Sequence, residues 1–131
     1  MILEKDPICF NHNLETVERL QKEVRRGANY KKSLRLLKKS KDIAPHIQTK
    51  SGIMLGLGET LDEIKNTIYD LKKIDCDQIT IGQYLRPSLN HLTVKKYWDP
   101  SEFEYLSHFS KELGFKKVSS GPLVRSSYHA G

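Results

Sequence analysis

Residues 48–82, QTKSGIMLGLGETLDEIKNTIYDLKKIDCDQITIG, contain a complete strand–helix–strand pattern. The runs at 48–55 and 78–82 each have the length of a short buried strand. Between them, Thr60 and Glu63 form a capping-box pair, which predicts that a helix begins there. The apolar residues that follow recur at helical spacing: Leu61, Ile64, Ile68, Leu71 and Ile74. A helix that joins two short strands in this way predicts a parallel βαβ unit.

The same alternation extends to both sides of this unit. The further predicted elements are a strand at 8–11, a helix capped by Asn13 and stopped at Gly27, a helix at 30–43, a helix begun by Asp99 and closed by Gly114, and a strand at 115–119. No repeat, low-complexity tract or linker divides the chain. We therefore predict one α/β unit in which parallel strands alternate with helices.

Length and composition are those of a single globular domain. The chain has 131 residues, of which 37% are hydrophobic and 29% charged. No apolar run approaches the roughly 20 residues that a membrane span needs, and the first residues lack the pattern of a signal peptide. We expect a cytoplasmic protein (mitochondrial matrix or plastid in a eukaryote) with no membrane partner.

The net charge is +6, and much of the basic excess lies between residues 22 and 41. The solvated side of two amphipathic helices explains such a run. A face that binds an acidic protein or nucleic acid is the alternative. Because no groove-reading motif or basic–aromatic interleaving is visible, we expect no nucleic-acid partner.

Cys9 and Cys76 are the two cysteines, and 67 positions separate them. This spacing makes neither a disulfide framework nor a C-x-x-C metal site. We predict that both are structural and that Cys9, in an apolar run, is buried. Two thiolates cannot hold a cubane iron–sulfur cluster, which usually takes four.

Polar residues follow three of the predicted strands. They are Asn11, His12 and Asn13; Gly56, Gly58 and Glu59; and Gln83, Tyr84 and Arg86. Since the carboxyl ends of parallel strands meet at one edge of a sheet, this pattern predicts a ligand site there. The glycines at 56 and 58 either let a ligand approach the backbone or serve a tight turn. His12 is more typical of a structural histidine than of a base, and nothing indicates a hydrolytic triad.

Four segments, at 10–16, 49–60, 79–88 and 121–130, resemble in sequence and order those of lipoyl synthase, a family of radical S-adenosylmethionine enzymes. The last contains Arg-Ser-Ser-Tyr, the signature near the carboxyl end of that family. The resemblance begins at Phe10 and implies the C-terminal half of a partial (β/α)6 TIM-like barrel. Residues from about 8 to 120 would form the half barrel and residues 121–131 a cluster-ligand tail.

The resemblance also implies a reaction, in which two sulfur atoms enter C6 and C8 of protein-bound octanoyl groups. It implies S-adenosylmethionine and two [4Fe–4S] clusters as cofactors, with Ser127 as catalytic residue and ligand of the auxiliary cluster. A serine oxygen is a weaker partner for cluster iron than a thiolate. The residues implied to contact a cofactor are Asn11, His12, Lys50, Gly56, Gly58, Glu59, Gln83 and Arg125.

Both cysteine triads of the family are missing from this sequence, so we predict that the chain alone is inactive. The implied partners are octanoylated carrier domains (2-oxoacid dehydrogenase E2 and glycine cleavage H protein), a reductant such as flavodoxin or ferredoxin, and a separate N-terminal half. The alternative is a non-catalytic binding module that docks acidic carrier domains through its basic helical face.

Overall fold

The computed structural model describes residues 9–24, 29–89 and 91–124. Four strands form one parallel sheet: β1 (Cys9–Asn11), β2 (Gln48–Leu55), β3 (Gln78–Gln83) and β4 (Lys117–Gly121). A 3-10 turn at Glu18–Leu20 leads into α1 (Gln21–Val24), and the longer helices are α2 (Tyr30–Ile43), α3 (Leu61–Lys73) and α4 (Pro100–Leu113). None of the described helices combines the length and apolarity needed to span a bilayer.

The strands lie in the sheet in the order β1-β2-β3-β4, which is also their order in the chain. Because crossovers between parallel strands are right-handed, a sheet that always advances in one direction carries all its helices on one face. This is the arrangement of a barrel segment, whereas a doubly wound sheet reverses direction. The predicted α/β class with parallel strands alternating with helices is confirmed.

Local signals define the ends of the helices. The capping box between Thr60 and Glu63 opens α3 as predicted. Asp99 and Glu102 form a second box at the start of α4, and Gly114 ends that helix with a φ of 103°. The predicted bounds of α2 and β2 are confirmed, whereas β4 begins two residues later than predicted.

The helix side of the sheet carries the hydrophobic core. Alternate residues of β2 and β3 point there, and Leu55, Ile79 and Ile81 are fully buried. The helices cover them with Ile64, Ile68, Leu71, Phe103 and Leu106. Leu61, predicted to join this stripe, is 38% exposed because it occupies the first helical position beyond the sheet.

The opposite side of the sheet, here called the open face, is polar and rich in glycine. The strand register places three rows of residues across it: Asn11, Lys50, Gln78 and Lys117; Gly52, Thr80 and Ser119; and Met54, Gly82 and Gly121. Such residues do not pack as a core layer, so this face suits a ligand better than a second layer of helices.

The segment after β1 differs from the prediction that Asn13 caps a helix. Leu14 N and Glu15 N instead donate to Gly52 O at 3.1 and 3.0 Å, and Met54 N donates to Glu15 O at 2.9 Å. Three residues after Asn11 therefore oppose two residues of β2, which is a β-bulge. Within the bulge Glu15 has a φ of 73°, in the left-handed region, and helical structure begins only at residue 18.

The two cysteines have different surroundings. Cys76, which was predicted to be structural, is buried, at 2% exposure. Cys9 was predicted to be buried, but this is wrong, because it is exposed. Cys9 pairs with Gln48 on the open face, and its neighbour Phe10 is the residue that packs against the core.

Candidate functional site

The carboxyl edge of the sheet brings together most of the predicted site residues. Asn11 and His12 end β1, the turn at 56–59 ends β2, and Gln83 ends β3. Lys50 lies further down the open face, where it pairs with Asn11 across β1 and β2. Arg125 and Ser127 lie outside the described residues. The edge is therefore a candidate site built from three consecutive strands.

The turn at 56–59 is held by its own glutamate. The Glu59 carboxylate accepts hydrogen bonds from Gly56 N at 2.7 Å and Leu57 N at 3.0 Å, and from the indole Nε1 of Trp98 at 2.9 Å. Glu59 is 7% exposed. Both turn amides are thus bonded internally, and the geometry gives Glu59 a supporting role. Its contact with a cofactor stays a prediction.

The two glycines of the turn differ in their surroundings. Both have a φ of +113°, which side chains rarely adopt. A Cβ at Gly56 would collide with the Gln83 amide and come within 2.6 Å of Lys96 O. A Cβ at Gly58 would meet only Lys95 Cγ, at 4.0 Å. Gly56 therefore serves close packing, whereas Gly58 offers exposed backbone that a ligand can approach.

Gln83 fastens the connection between β3 and α4 to the edge. Its Nε2 donates to Tyr84 O at 3.0 Å and Lys96 O at 2.9 Å, and its Oε1 accepts from Trp98 N at 3.0 Å. Lys95 N also donates to Gly56 O, at 2.7 Å. The carboxyl end of this connection is therefore pinned across β2 and β3. Trp98 is a packing residue, at 6% exposure.

Arg19 clamps the segment after β1 to the turn after β2. Its guanidinium contacts both carboxylate oxygens of Glu63, at 2.7 and 3.1 Å, and donates to Gly58 O at 2.8 Å. The hydrogen bond from Arg19 lowers the pKa of Glu63. Sequence reasoning did not find this contact, since 44 positions separate the two residues and neither stands in a motif with the other.

His12 contacts the first turn of α2. Its Nε2 lies 3.1 Å from the Ser33 hydroxyl, and Ser33 is buried. The side chain of His12 is half-buried, and Asn11 beside it is exposed. This packing agrees with a structural histidine that ties the edge of the sheet to α2.

The middle row of the open face contains a buried polar group. The Thr80 hydroxyl has no hydrogen-bond partner among the described residues, although Thr80 is only 6% exposed. In the next row, a Cβ on Gly82 would collide with the carbonyl of Val124. Val124 N donates to Gly121 O at 3.2 Å, so the chain turns back over β3 after β4. Val124, the last described residue, therefore lies over the open face.

The described residues do not contain a metal site of their own. No group of three or more His, Cys, Asp or Glu side chains within residues 9–24, 29–89 and 91–124 is placed to hold an ion. Cys76 lies just before the amino-terminal end of β3 and away from the carboxyl edge of the sheet. This part of the chain does not fit an iron–sulfur cluster by itself.

Comparison with solved structures identifies a likeness in fold. The chain aligns with SuiB of Streptococcus suis with a TM-score of 0.65, over 90% of this chain and 28% of that one. The sequence identity is 15%, so the likeness concerns the fold alone. No protein-family model matches the chain.

Curated relatives are much more similar. The chain is 81% identical over 130 residues to lipoyl synthase 2 of Prochlorococcus marinus subsp. pastoris, which covers 99% of this chain and 44% of the relative. It is 59% identical to lipoyl synthase 2 of a Nostoc species and 54% identical to lipoyl synthase of Methylococcus capsulatus. The matches cover 44% and 38% of those proteins. The chain therefore belongs to the lipoyl synthase family and spans less than half of the length of these members.

Proposed function

We propose that this chain forms the carboxyl-terminal part of a cytoplasmic lipoyl synthase and acts with a segment that carries the cluster cysteines. The reaction would insert two sulfur atoms at C6 and C8 of a protein-bound octanoyl group. The observation that carries the proposal is the 81% identity to lipoyl synthase 2 over 99% of the chain. Identity at this level along a whole α/β unit supports the same role in a larger enzyme.

In this proposal, the two [4Fe–4S] clusters need ligands from outside the described residues. The described residues supply no set of three ligands, and Cys76 is buried. Ser127 remains the proposed oxygen ligand of the auxiliary cluster. The position of Val124 over the open face, three residues earlier in the chain, supports this proposal.

S-adenosylmethionine would lie along the carboxyl edge and the upper part of the open face. The buried hydroxyl of Thr80, which has no partner among the described residues, supports a ligand there. The chemistry that this cofactor supplies when bound is removal of hydrogen from the acyl chain. Asn11, Lys50 and Gly58 would contact it directly, and His12 and Arg125 are further proposed contacts.

Three residues of the predicted set would support cofactor binding indirectly, because they hold the carboxyl edge in its shape. Glu59 holds the turn amides, Gln83 holds the returning connection, and Gly56 allows the two to pack. All three are buried. Hydrogen bonds already fix this edge before a cofactor binds. Less conformational entropy is therefore lost on binding.

The test combines this chain with the preceding segment of a full-length relative under anaerobic conditions, with iron and sulfide for reconstitution. S-adenosylmethionine, a chemical reductant and an octanoyl-lysine peptide as substrate are added, and mass spectrometry measures addition of one and two sulfur atoms. We expect lipoyl product from the wild type, and loss of the second insertion in Ser127→Ala. Ser126→Ala is the matched control and keeps it. Absence of product from the wild type overturns the proposed function.

Ser127→Cys separates ligand chemistry from packing. A thiolate binds cluster iron more strongly than a serine oxygen does, so this variant should retain the cluster and release its sulfur less readily. Unimpaired second insertion in both Ser127 variants would show that the hydroxyl has no such role.

A second candidate is a non-catalytic module that binds acidic carrier domains. The observation that favours it is the concentration of exposed cations on α2. Carrier binding without sulfur insertion, in the presence of the segment that supplies the cysteines, would support the module in place of the enzyme.

A further inference from the structure

The outward side of α2 carries two exposed aliphatic residues. Four residues of this side recur at i, i+4, i+7 and i+11, so they lie within an arc of about 60° around the helix axis. They are Lys32, Leu36, Lys39 and Ile43. The side facing the sheet is formed by Tyr30, Ser33 and Leu37, which are buried. Leu36 is 43% exposed and Ile43 is 74% exposed. The four outward residues are called the α2 outer face below.

Cations surround these two aliphatic side chains. Lys31, Lys32, Arg35, Lys38 and Lys39 are all exposed. The sixth cation of the helix, Lys41, is bonded to Asp77 on the sheet side at 2.7 Å. Asp42 is the one acidic residue in α2, and it lies 3.8 Å from Lys38. A solvated helix side explains the cations, but it does not explain why Leu36 and Ile43 lie between them.

The α2 outer face is connected to the candidate site. Ser33, in the first turn of α2, contacts His12 at the carboxyl edge of the sheet, at 3.1 Å. The helix runs from this edge toward the opposite end of the sheet, a length of about 21 Å for 14 residues. A partner bound along α2 would therefore have one end beside the carboxyl edge.

We propose that the α2 outer face docks the acidic surface of the carrier protein that bears the acyl group. The identity of this partner rests on the proposed function; the kind of surface follows from α2 itself. Cations around the rim attract an acidic partner and speed its association. Leu36 and Ile43 lie at the centre, where apolar contacts that exclude water provide most of the affinity of an interface.

The composition of this face favours an acidic protein over the other anionic partners. Phosphates of a nucleic acid would contact the cations, but such contacts would not require aliphatic side chains between them. An interfacial membrane helix inserts a broad apolar side that includes aromatic residues, whereas this face has only Leu36 and Ile43. Nucleic acid and anionic vesicles are therefore the competing ligands in the test.

The experiment measures binding of this chain to a purified carrier domain of net negative charge, with and without the octanoyl group, by calorimetry at low and high salt. The first variant, K32E/K39E, reverses two cations; the second, L36S/I43S, removes the aliphatic pair. The matched control, K73E/K111E, reverses two exposed lysines on other helices and gives the same net charge. Far-UV circular dichroism and urea unfolding confirm that each variant folds.

We expect both α2 variants to weaken binding by roughly tenfold or more, and K73E/K111E to remain within about threefold of the wild type at low salt. Binding should weaken at high salt and should not require the octanoyl group. Equal losses in the control and the first variant would show non-specific charge attraction and overturn the proposal. So would wild-type affinity in L36S/I43S, or tighter binding of duplex DNA or anionic vesicles.

Failure of this proposal and failure of the proposed function are distinguishable. The docking experiment needs neither clusters nor turnover, whereas the sulfur-insertion assay uses a short peptide that lacks a carrier surface. Product from the peptide with no carrier binding would overturn docking alone. Carrier binding that depends on α2, with no product from the peptide, would overturn the enzyme and leave docking intact.

Discussion

Asp77 joins three elements at the amino-terminal edge of the sheet, and its carboxylate is the subject of the first prediction. One oxygen accepts from Lys41 Nζ of α2 at 2.7 Å and from Thr49 N of β2 at 2.8 Å. The other lies 3.4 Å from Lys116 Nζ, just before β4. The Asp77 side chain is 6% exposed and that of Lys41 is 19% exposed. The carboxylate therefore neutralises a largely buried lysine while it connects neighbouring strands.

Asp77→Asn keeps the size of the side chain and removes its charge. The amide oxygen can still accept from Thr49 N, but Lys41 loses its ionic partner. Breaking a buried ion pair costs about 3–5 kcal/mol of stability. The cost is smaller here, because Lys41 is partly exposed and Lys116 is exposed. We expect a loss of about 2–3 kcal/mol in the free energy of unfolding, which is roughly 30- to 150-fold in the equilibrium constant.

The pH dependence gives a second measure of the same interaction. Burial alone would raise the pKa of Asp77, but the hydrogen bonds from Lys41 and Thr49 N outweigh it and lower the pKa. The pKa of Asp77 is thus lower in the folded state than the value of about 3.9 expected in the unfolded state, so ionised Asp77 stabilises the fold above that pH. This stabilisation is lost as the pH falls through the pKa of the folded state. The difference between wild type and Asp77→Asn should be constant from about pH 5 to 8 and shrink below about pH 4.

The assay is urea unfolding followed by fluorescence of Trp98, the single tryptophan. Asp75→Asn is the matched control, because it removes an exposed carboxylate two positions away. Surface changes of this kind stay within about 0.5 kcal/mol. If Asp77→Asn were as stable as Asp75→Asn at pH 7, or if its deficit did not shrink in acid, the account of this ion pair would be refuted.

Two further predictions use the turn after β2 and the cysteines. Gly56→Ala should destabilise the chain by at least about 1 kcal/mol more than Gly58→Ala in urea unfolding, because both bear the strain of positive φ but only Gly56 abuts Gln83 and backbone; equal losses would contradict this. Burial raises the pKa of Cys76 to about 11, so a thiol reagent at pH 8 should modify Cys9 readily and Cys76 roughly 100-fold more slowly or only on unfolding. Rapid modification of both thiols in the folded chain would refute the burial of Cys76.

Several parts of the structure follow from signals within a few residues. The capping boxes at Thr60 and Asp99 and the stop at Gly114 mark helix ends, because each depends on hydrogen bonds or backbone angles within one turn. The prediction of a helix capped by Asn13 was wrong because of contacts with residues distant in the sequence. Backbone groups of 14 and 15 pair with β2, and a cap residue gives no indication of such a distant partner.

The amino-acid sequence by itself determined the class of the fold, the order of its elements, the edge at which polar residues gather and, through resemblance, the family. Tertiary structure alone decided what those residues do. It paired Arg19 with Glu63 and Glu59 with Trp98, across 44 and 39 positions, and it placed Cys9 in solvent. The physical reason is range: helix and turn preferences act over a few residues, whereas these contacts depend on the register of the parallel strands, which no single segment encodes.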